Sequence, residues 1–371
     1  MPCSVLHIDT ETGWRGGQNQ LRLLLQNAPA GWTWHVAVPP GSAAAARLAP
    51  LARVVTVPMR GAAQLTAAVT LARHVRTHGI TIIDAHTSHA HGLALMVHAL
   101  APSVRVVVHR RVDLAPAAGL SRRLKYGSAD IDRYVCISAR IAAVLREAGI
   151  DPARLAVVRS AADPAVGAGL DRTAERARLL AAWGAAPDTV LILNVAALTP
   201  EKDHAMLVRA LGRLHRDGRR FLCAVAGDGP GLSALQDQAR ALGLDQDRLR
   251  FLGRRDDVPA LMAGADVFVI TSRQEGLGTS LLDAARAGCA LVATDTGGIP
   301  EIVQDGRTGL LAPVGDDAAL ASALGNLVDD AGLRARLAEA AGGLVEAEFS
   351  AAAMAAGNCA VYEAVAAAGR P

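Results

Sequence analysis

The residues best placed to do chemistry lie in one stretch, Glu275-Gly-Leu-Gly-Thr-Ser-Leu-Leu-Asp283. Glu275 precedes a glycine-bearing loop, and Asp283 falls one to two turns into the helix that the next residues predict. A carboxylate accepts paired hydrogen bonds from neighbouring hydroxyls, as on a sugar or a ribose. The separation of eight lets both acids serve one ligand lying across the helix start. Gly276 and Gly278, on either side of Leu277, let a ligand approach the backbone, and the free N–H groups around Thr279 and Ser280 suit a phosphate. A surface Glu and a helical Asp with no shared task fit the spacing equally well.

Lys202 is the second candidate. It is one of two lysines beside 36 arginines, and it follows a predicted strand, Val190–Val195. A point cation there can neutralise a diphosphate leaving group. A solvent-facing helix cap is the alternative. His109 ends a predicted strand and is either a site residue or a hydrogen-bonded core residue. His86, His89 and His91 follow another, but lack zinc-helix spacing and a nearby Cys or Glu, so a polar contact to sugar or acceptor is preferred to a metal. Gly16-Gly17 lies in a loop, Asp9–Gly17, between the first strand and the first helix, where backbone amides can face a ligand; a plain turn accounts for it as well. Gly227-Asp-Gly-Pro-Gly231 has Leu232 where a dinucleotide fingerprint needs glycine, and no Gly-x-x-x-x-Gly-Lys-Ser/Thr occurs.

Positioning these residues takes alternating strands and helices. Short β-branched runs at Ser4–Ile8, Trp34–Val38, Val54–Val57, Ile80–Ile83, Val104–Val108 and Arg133–Ile137 read as strands, with helices such as 18–27, 62–77 and 138–148 between. After an apparent linker, Gly167–Thr173, a second alternation runs through Val190–Val195, Phe221–Ala226, Leu249–Leu252, Asp266–Thr271 and Cys289–Thr294. This predicts two Rossmann-like doubly wound α/β domains facing each other across a cleft, with parallel sheets that bind ligands at their strands' carboxyl ends. The 371 residues suit two domains. The boundaries expected are 1–165, 166–348 and a last helix, 349–371.

Charge is unevenly spread. Residues 1–163 hold 18 Arg/Lys against 9 Asp/Glu, and the remainder 20 against 26. The densest basic segment is Arg110-Arg111 followed by Arg122-Arg123-Leu-Lys125. Such asymmetry suggests an anionic partner, although a solvated basic face also explains it. An aromatic content of 3% gives little for stacking bases, so nucleic acid is not expected; an anionic membrane surface or phosphorylated acceptor fits better. No run reaches membrane-span length, no signal peptide is evident, and five dispersed cysteines without a Cys-x-x-Cys pair suit a reducing cytoplasm.

Six segments in order resemble the retaining GT-B glycosyltransferases of family 4. They are Leu198-Thr-Pro-Glu-Lys202-Asp-His, Val225-Ala-Gly-Asp-Gly-Pro230, Arg250-Phe-Leu-Gly-Arg254, Glu275 to Asp283, Gly297-Gly-Ile-Pro-Glu301 and Asp305-Gly-Arg-Thr-Gly-Leu-Leu311. The first half matches through Gly16-Gly17, His86, His109 and Val135-Cys-Ile-Ser138. The resemblance implies a GT-B fold whose C-terminal helix, Phe349 to Ala366, packs back on the first domain. It implies sugar transfer, with retention, from a nucleoside-diphosphate sugar, most commonly UDP-linked, to an acceptor glycan, lipid-linked sugar or other hydroxyl compound. Neither cofactor nor metal is implied. Glu275 would meet the donor sugar and Asp283, where the family has a second Glu, the ribose. Lys202 and the helix start would stabilise the departing diphosphate, Gly16 and Gly17 would approach the donor, and His109, His86 and Arg110 would meet sugar or acceptor. Ala197 stands where the family commonly has a phosphate-binding Arg, for which Arg254 or Arg273 would have to compensate. An anionic, membrane-associated acceptor, as in lipopolysaccharide synthesis, would place the protein on the inner face of the membrane. A GT-B nucleotide-sugar epimerase and a binder without turnover are the alternatives.

Overall fold

A computed structural model describes residues 4–61, 63–115, 119 and 125–368. The chain divides into two compact units, Met1–Ala161 with Ala351–Pro371, and Ala162–Ser350. Arg122 and Arg123 of the basic segment lie outside the described residues.

The first unit is built on seven strands, β1 (Ser4–Ile8), β2 (Thr33–Val38), β3 (Arg53–Thr56), β4 (Ile82–Ala85), β5 (Arg105–Arg110), β6 (Arg133–Cys136) and β7 (Leu155–Val157). They pair in the order β3-β2-β1-β4-β5-β6-β7, parallel throughout. The central strands are almost wholly apolar because helices cover both faces. On one face Val5, Ile82, Val107 and Val135 pack against Tyr362 and Val365 of the last helix, Ala351–Ala367. Met354 and Ala355 of that helix pack with Leu21, Leu24 and Leu25 of the helix Gly16–Asn27. Phe349 does not belong to the last helix. It is the buried C-cap of the preceding one, Ala331–Glu348, and its carbonyl accepts from Ala162 N at 3.0 Å.

The second unit has six parallel strands, β8 (Val190–Val195), β9 (Phe221–Ala226), β10 (Leu249–Gly253), β11 (Val267–Ile270), β12 (Ala290–Thr294) and β13 (Leu310–Ala312), in the order β10-β9-β8-β11-β12-β13. β13 is an edge strand of three residues, too short for sequence periodicity to reveal. The expected linker is also shorter than its composition suggests. Asp171 accepts from Thr173 N and Ala174 N, so the helix Arg172–Trp183 begins inside it.

Each sheet reverses its winding once. β1 has β2 on one side and β4 on the other, and β8 lies between β9 and β11. Open parallel sheets bind ligands at the carboxyl ends of the strands flanking such a reversal. Among the described residues no helix is long and apolar enough to cross a membrane.

Candidate active site

At the β8/β11 reversal of the second unit, the two following loops are laced together. Lys202 closes a short 3-10 turn, Pro200–Lys202, and its Nζ donates to Glu275 Oε2 at 2.5 Å. Ser272 Oγ donates to the same carboxylate oxygen at 3.2 Å. Thr271 Oγ1 donates to the Lys202 carbonyl and Arg273 N to that of Glu201. Asp203 is the only non-glycine with positive φ among the described residues, at 42°. Its left-handed backbone turns the chain into the helix His204–Arg216, whose Met206 N it caps, while its other oxygen takes Arg273 Nε at 2.8 Å. Arg273 is thus committed to Asp203. Lys202 and Glu275 keep 26% and 18% of their side-chain surface exposed, so the pair remains reachable.

The rest of the motif frames that pair. Gly278, at φ 88°, is the N-cap of the helix Thr279–Arg286 and lends it no side-chain cap, leaving the first N–H groups of Thr279 and Ser280 for a ligand. A side chain at Gly278 would need a left-handed backbone and would press on Leu281 at 3.0 Å. Gly276 is buried, and the Leu277 side chain belongs to the core, so Leu277 can offer a ligand only its backbone. Asp283 Oδ1 accepts from Asp163 N at 2.8 Å. Arg254 stands exposed just past β10. The Gly227–Gly231 loop serves close packing. A Cβ on Gly227 would lie 1.9 Å from the Ala196 carbonyl, and one on Gly229 2.6 Å from that of Leu198. That loop also supports the Ala197 segment, through the bond from Leu198 N to the Asp228 carbonyl.

At the β1/β4 reversal of the first unit lies a buried cluster centred on Asp84. His109 Nδ1 is 2.8 Å from Asp84 Oδ1, and Tyr362 Oη 2.5 Å from Oδ2. His7 Nδ1 and His86 Nε2 lie 2.9 Å apart, each 3.4 Å from Oδ2. Arg111 Nη2 donates to His86 Nδ1 at 3.2 Å. Arginine has no acceptor, so the neutral His86 proton sits on Nε2 and points at His7. His7 then carries its own proton on Nε2, which is buried without a partner. Burial would raise the Asp84 carboxyl, but the histidines beside it and the bonds it accepts hold it well below the usual carboxylate range. Burial pushes His86 well down and His109 down, each partly opposed by Asp84. Burial, with Asp84 adding to it, drives Tyr362 well up. The cluster is therefore one carboxylate that accepts from His109 and Tyr362, with the Arg111 guanidinium beside it. His7, Asp84 and His86 have the mutual spacing of metal ligands. However, the proton that Arg111 directs to His86 Nε2 occupies the lone pair a metal would use.

His86 and His109 thus meet around an acid, while His89 and His91 do not join them. His89 is exposed, and His91 is buried against the Tyr126 ring. Arg110 also turns away, donating to Tyr126 Oη at 3.0 Å and to the Leu114 carbonyl; the guanidinium at the cluster is that of Arg111. Period-two alternation puts residues 109 and 111 on one face, and this signal could have found Arg111. Gly16 and Gly17 are the first helical turn, not loop, because the helix starts at Gly16. A Cβ on Gly17 would sit 3.6 Å from Arg111 Cδ. His7 becomes visible only through the β1–β4 register, which sets it opposite Asp84. No local signal marks Tyr362.

Two parallel sheets of this topology, one per unit, are those of the GT-B glycosyltransferase fold. A structure of Anabaena HepE in complex with UDP and glucose shares it, with a TM-score of 0.85 over 98% of this chain and 99% of that one, at 20% identity. A family model of glycosyl transferases group 1 matches residues 175–342, and one of glycosyltransferase family 4 matches residues 14–166. The chain belongs to this family. Its relatives include the alpha-D-kanosaminyltransferase of Streptomyces kanamyceticus, 33% identical over 182 residues (48% of this chain, 47% of the relative). Another is the GDP-mannose-dependent alpha-(1-6)-phosphatidylinositol monomannoside mannosyltransferase of Mycolicibacterium smegmatis, 36% identical over 163 residues, 42% of each chain. These matches span somewhat under half the length of the curated relatives.

Proposed function

We propose that the protein is a retaining glycosyltransferase that moves a sugar from a nucleoside-diphosphate sugar to an acceptor hydroxyl. The observation that carries this reading is the partly exposed Lys202–Glu275 pair beside an uncapped helix start at a winding reversal. Lys202 and the N–H groups of Thr279 and Ser280 stabilise negative charge developing on the departing diphosphate. Glu275 holds Lys202 in place and accepts from donor-sugar hydroxyls through its remaining lone pairs. Asp283 accepts from the ribose. Gly276, Leu277 and Gly278 offer backbone, and the exposed Arg254 serves the phosphates in place of Arg273, which is bound to Asp203. His109, with His86 behind it, contacts a sugar or acceptor hydroxyl, and Gly16 and Gly17 approach the donor or acceptor. The reaction needs no metal or cofactor.

UDP-linked sugars are the first donors to test, in line with the ligand of HepE, and the name of the mycobacterial relative makes GDP-mannose the second. That relative's lipid acceptor and the basic first half of this chain support a lipid-linked or cell-envelope glycan acceptor at an anionic membrane face on the cytoplasmic side. The test is a mass-spectrometric transfer assay with UDP-glucose, UDP-galactose, UDP-N-acetylglucosamine and GDP-mannose on simple and lipid-linked glycoside acceptors. NMR of the product then reads the anomeric configuration. Transfer with retention from one donor is expected. Interconversion of a donor without acceptor would instead establish an epimerase, and binding without turnover a sugar-nucleotide binder.

A further inference from the structure

The Asp84 cluster contains more order than a hydrogen-bonding histidine needs, and the excess comes from the end of the chain. We infer that Asp84 and Tyr362 are positioning residues that fix His109 with its proton on Nδ1, so that Nε2 presents a lone pair to a substrate hydroxyl. This rests on the reading of His109 as a sugar or acceptor contact. Asp84 is an acceptor, so the 2.8 Å bond to its Oδ1 places the His109 proton on Nδ1. Among the described residues His109 Nε2 has no hydrogen-bond partner, and it is not among the fully enclosed unpartnered atoms. The second carboxylate oxygen takes the Tyr362 hydroxyl, which keeps Asp84 from rotating and from accepting fully from His86. Tyr362 is completely buried and its ring lies edge-on to Trp32 and Trp34, at 5.8 and 6.4 Å. A phenylalanine would keep those ring contacts and remove only the O–H.

The groups facing His109 are Asp84 from β4 and His86 just beyond it, His7 from β1, Arg111 beyond β5 with Asp9 near it, and Tyr362 from the last helix. Losing the Tyr362 hydroxyl leaves more negative charge on Asp84. That charge favours protonation of His109, which would turn Nε2 from acceptor into donor.

The test uses the full chain, labelled with ¹⁵N-histidine, with His109 assigned through a His109→Gln variant. Long-range ¹H–¹⁵N correlation spectra should show Nδ1 protonated and Nε2 bare at pH 7. Tyr362→Phe should move the onset of His109 protonation upward by about one pH unit. Asp84→Asn should convert a measurable fraction to the Nε2–H tautomer, as the amide can then face the ring. Met354→Ala loosens the same helix without touching Asp84 and should leave the His109 signals in place. A wild-type His109 protonated on Nε2, or a Met354→Ala spectrum shifted as far as that of Tyr362→Phe, would overturn the inference. The spectra need neither donor nor acceptor. A bare Nε2 in a protein that transfers no sugar would therefore defeat the proposed function, and with it the substrate contact, while leaving the positioning of the His109 proton by Asp84 and Tyr362 standing.

Discussion

The two winding reversals use the same place in the fold for opposite designs. In the first unit the carboxylate is fully buried, every nearby donor is a side chain, and the pKa values of Asp84, His86, His109 and Tyr362 are all displaced. In the second unit the acid and cation stay partly exposed, and glycine and an uncapped helix leave backbone donors free. A closed cluster fixes the orientation of one group at the cost of adaptability. An open pair beside free amides can take up a charged ligand and release it. The two should therefore fail differently when broken.

The largest effect on stability belongs to the closed cluster. Asp84→Ala strands the buried His109 and Tyr362 donors without their acceptor and should destabilise the protein by about 2–5 kcal/mol, read by chemical denaturation. Lys202→Ala breaks a pair that solvent already screens and should cost only about 1 kcal/mol of stability. Its transfer rate should nevertheless fall by about 10²–10³-fold. Equal stability losses at both sites would remove the contrast.

Acid sharpens the same comparison. His35, His86 and His109 are depressed, and His74 and His91 are held at about 4 and about 3, all in the first unit. The second unit has His204, at about 4. Below the unfolded value near 6.5 the unfolded chain binds protons that these folded histidines refuse, so stability falls as pH drops from about 6.5 towards the folded values. Asp84 adds nothing between pH 7 and pH 5. Its contribution is present above the unfolded carboxylate value and disappears only as pH falls through its lowered folded one. Hydrogen exchange, corrected for intrinsic rates, should show protection falling more in the first unit than in the second between pH 7 and pH 5. Gly278→Ala should lose about 1–2 kcal/mol from the left-handed backbone, seen as a modest fall in Tm.

What the sequence revealed follows the same division. Lys202, Glu275 and the Gly278 helix start are each local features, a residue type beside a strand end or a helix cap, and local pattern locates them. The family resemblance then joined Lys202 to Glu275, 73 residues apart. The Asp84 cluster depends on pairing register and on a helix that returns from 278 residues further along. Periodicity carries no information about either, so His7 and Tyr362 went unseen and Arg110 stood in for Arg111. Strand positions were legible from β-branched runs, whereas β13 was too short to register.

The most direct test of the donor site is a thermal-shift titration of the purified protein with UDP, GDP, ADP and their sugars, with and without EDTA. Stabilisation by one base is expected, surviving EDTA, lost in Lys202→Ala and weakened in Glu275→Ala. No shift with any nucleotide, or a shift unchanged in both variants, would contradict the proposed donor site.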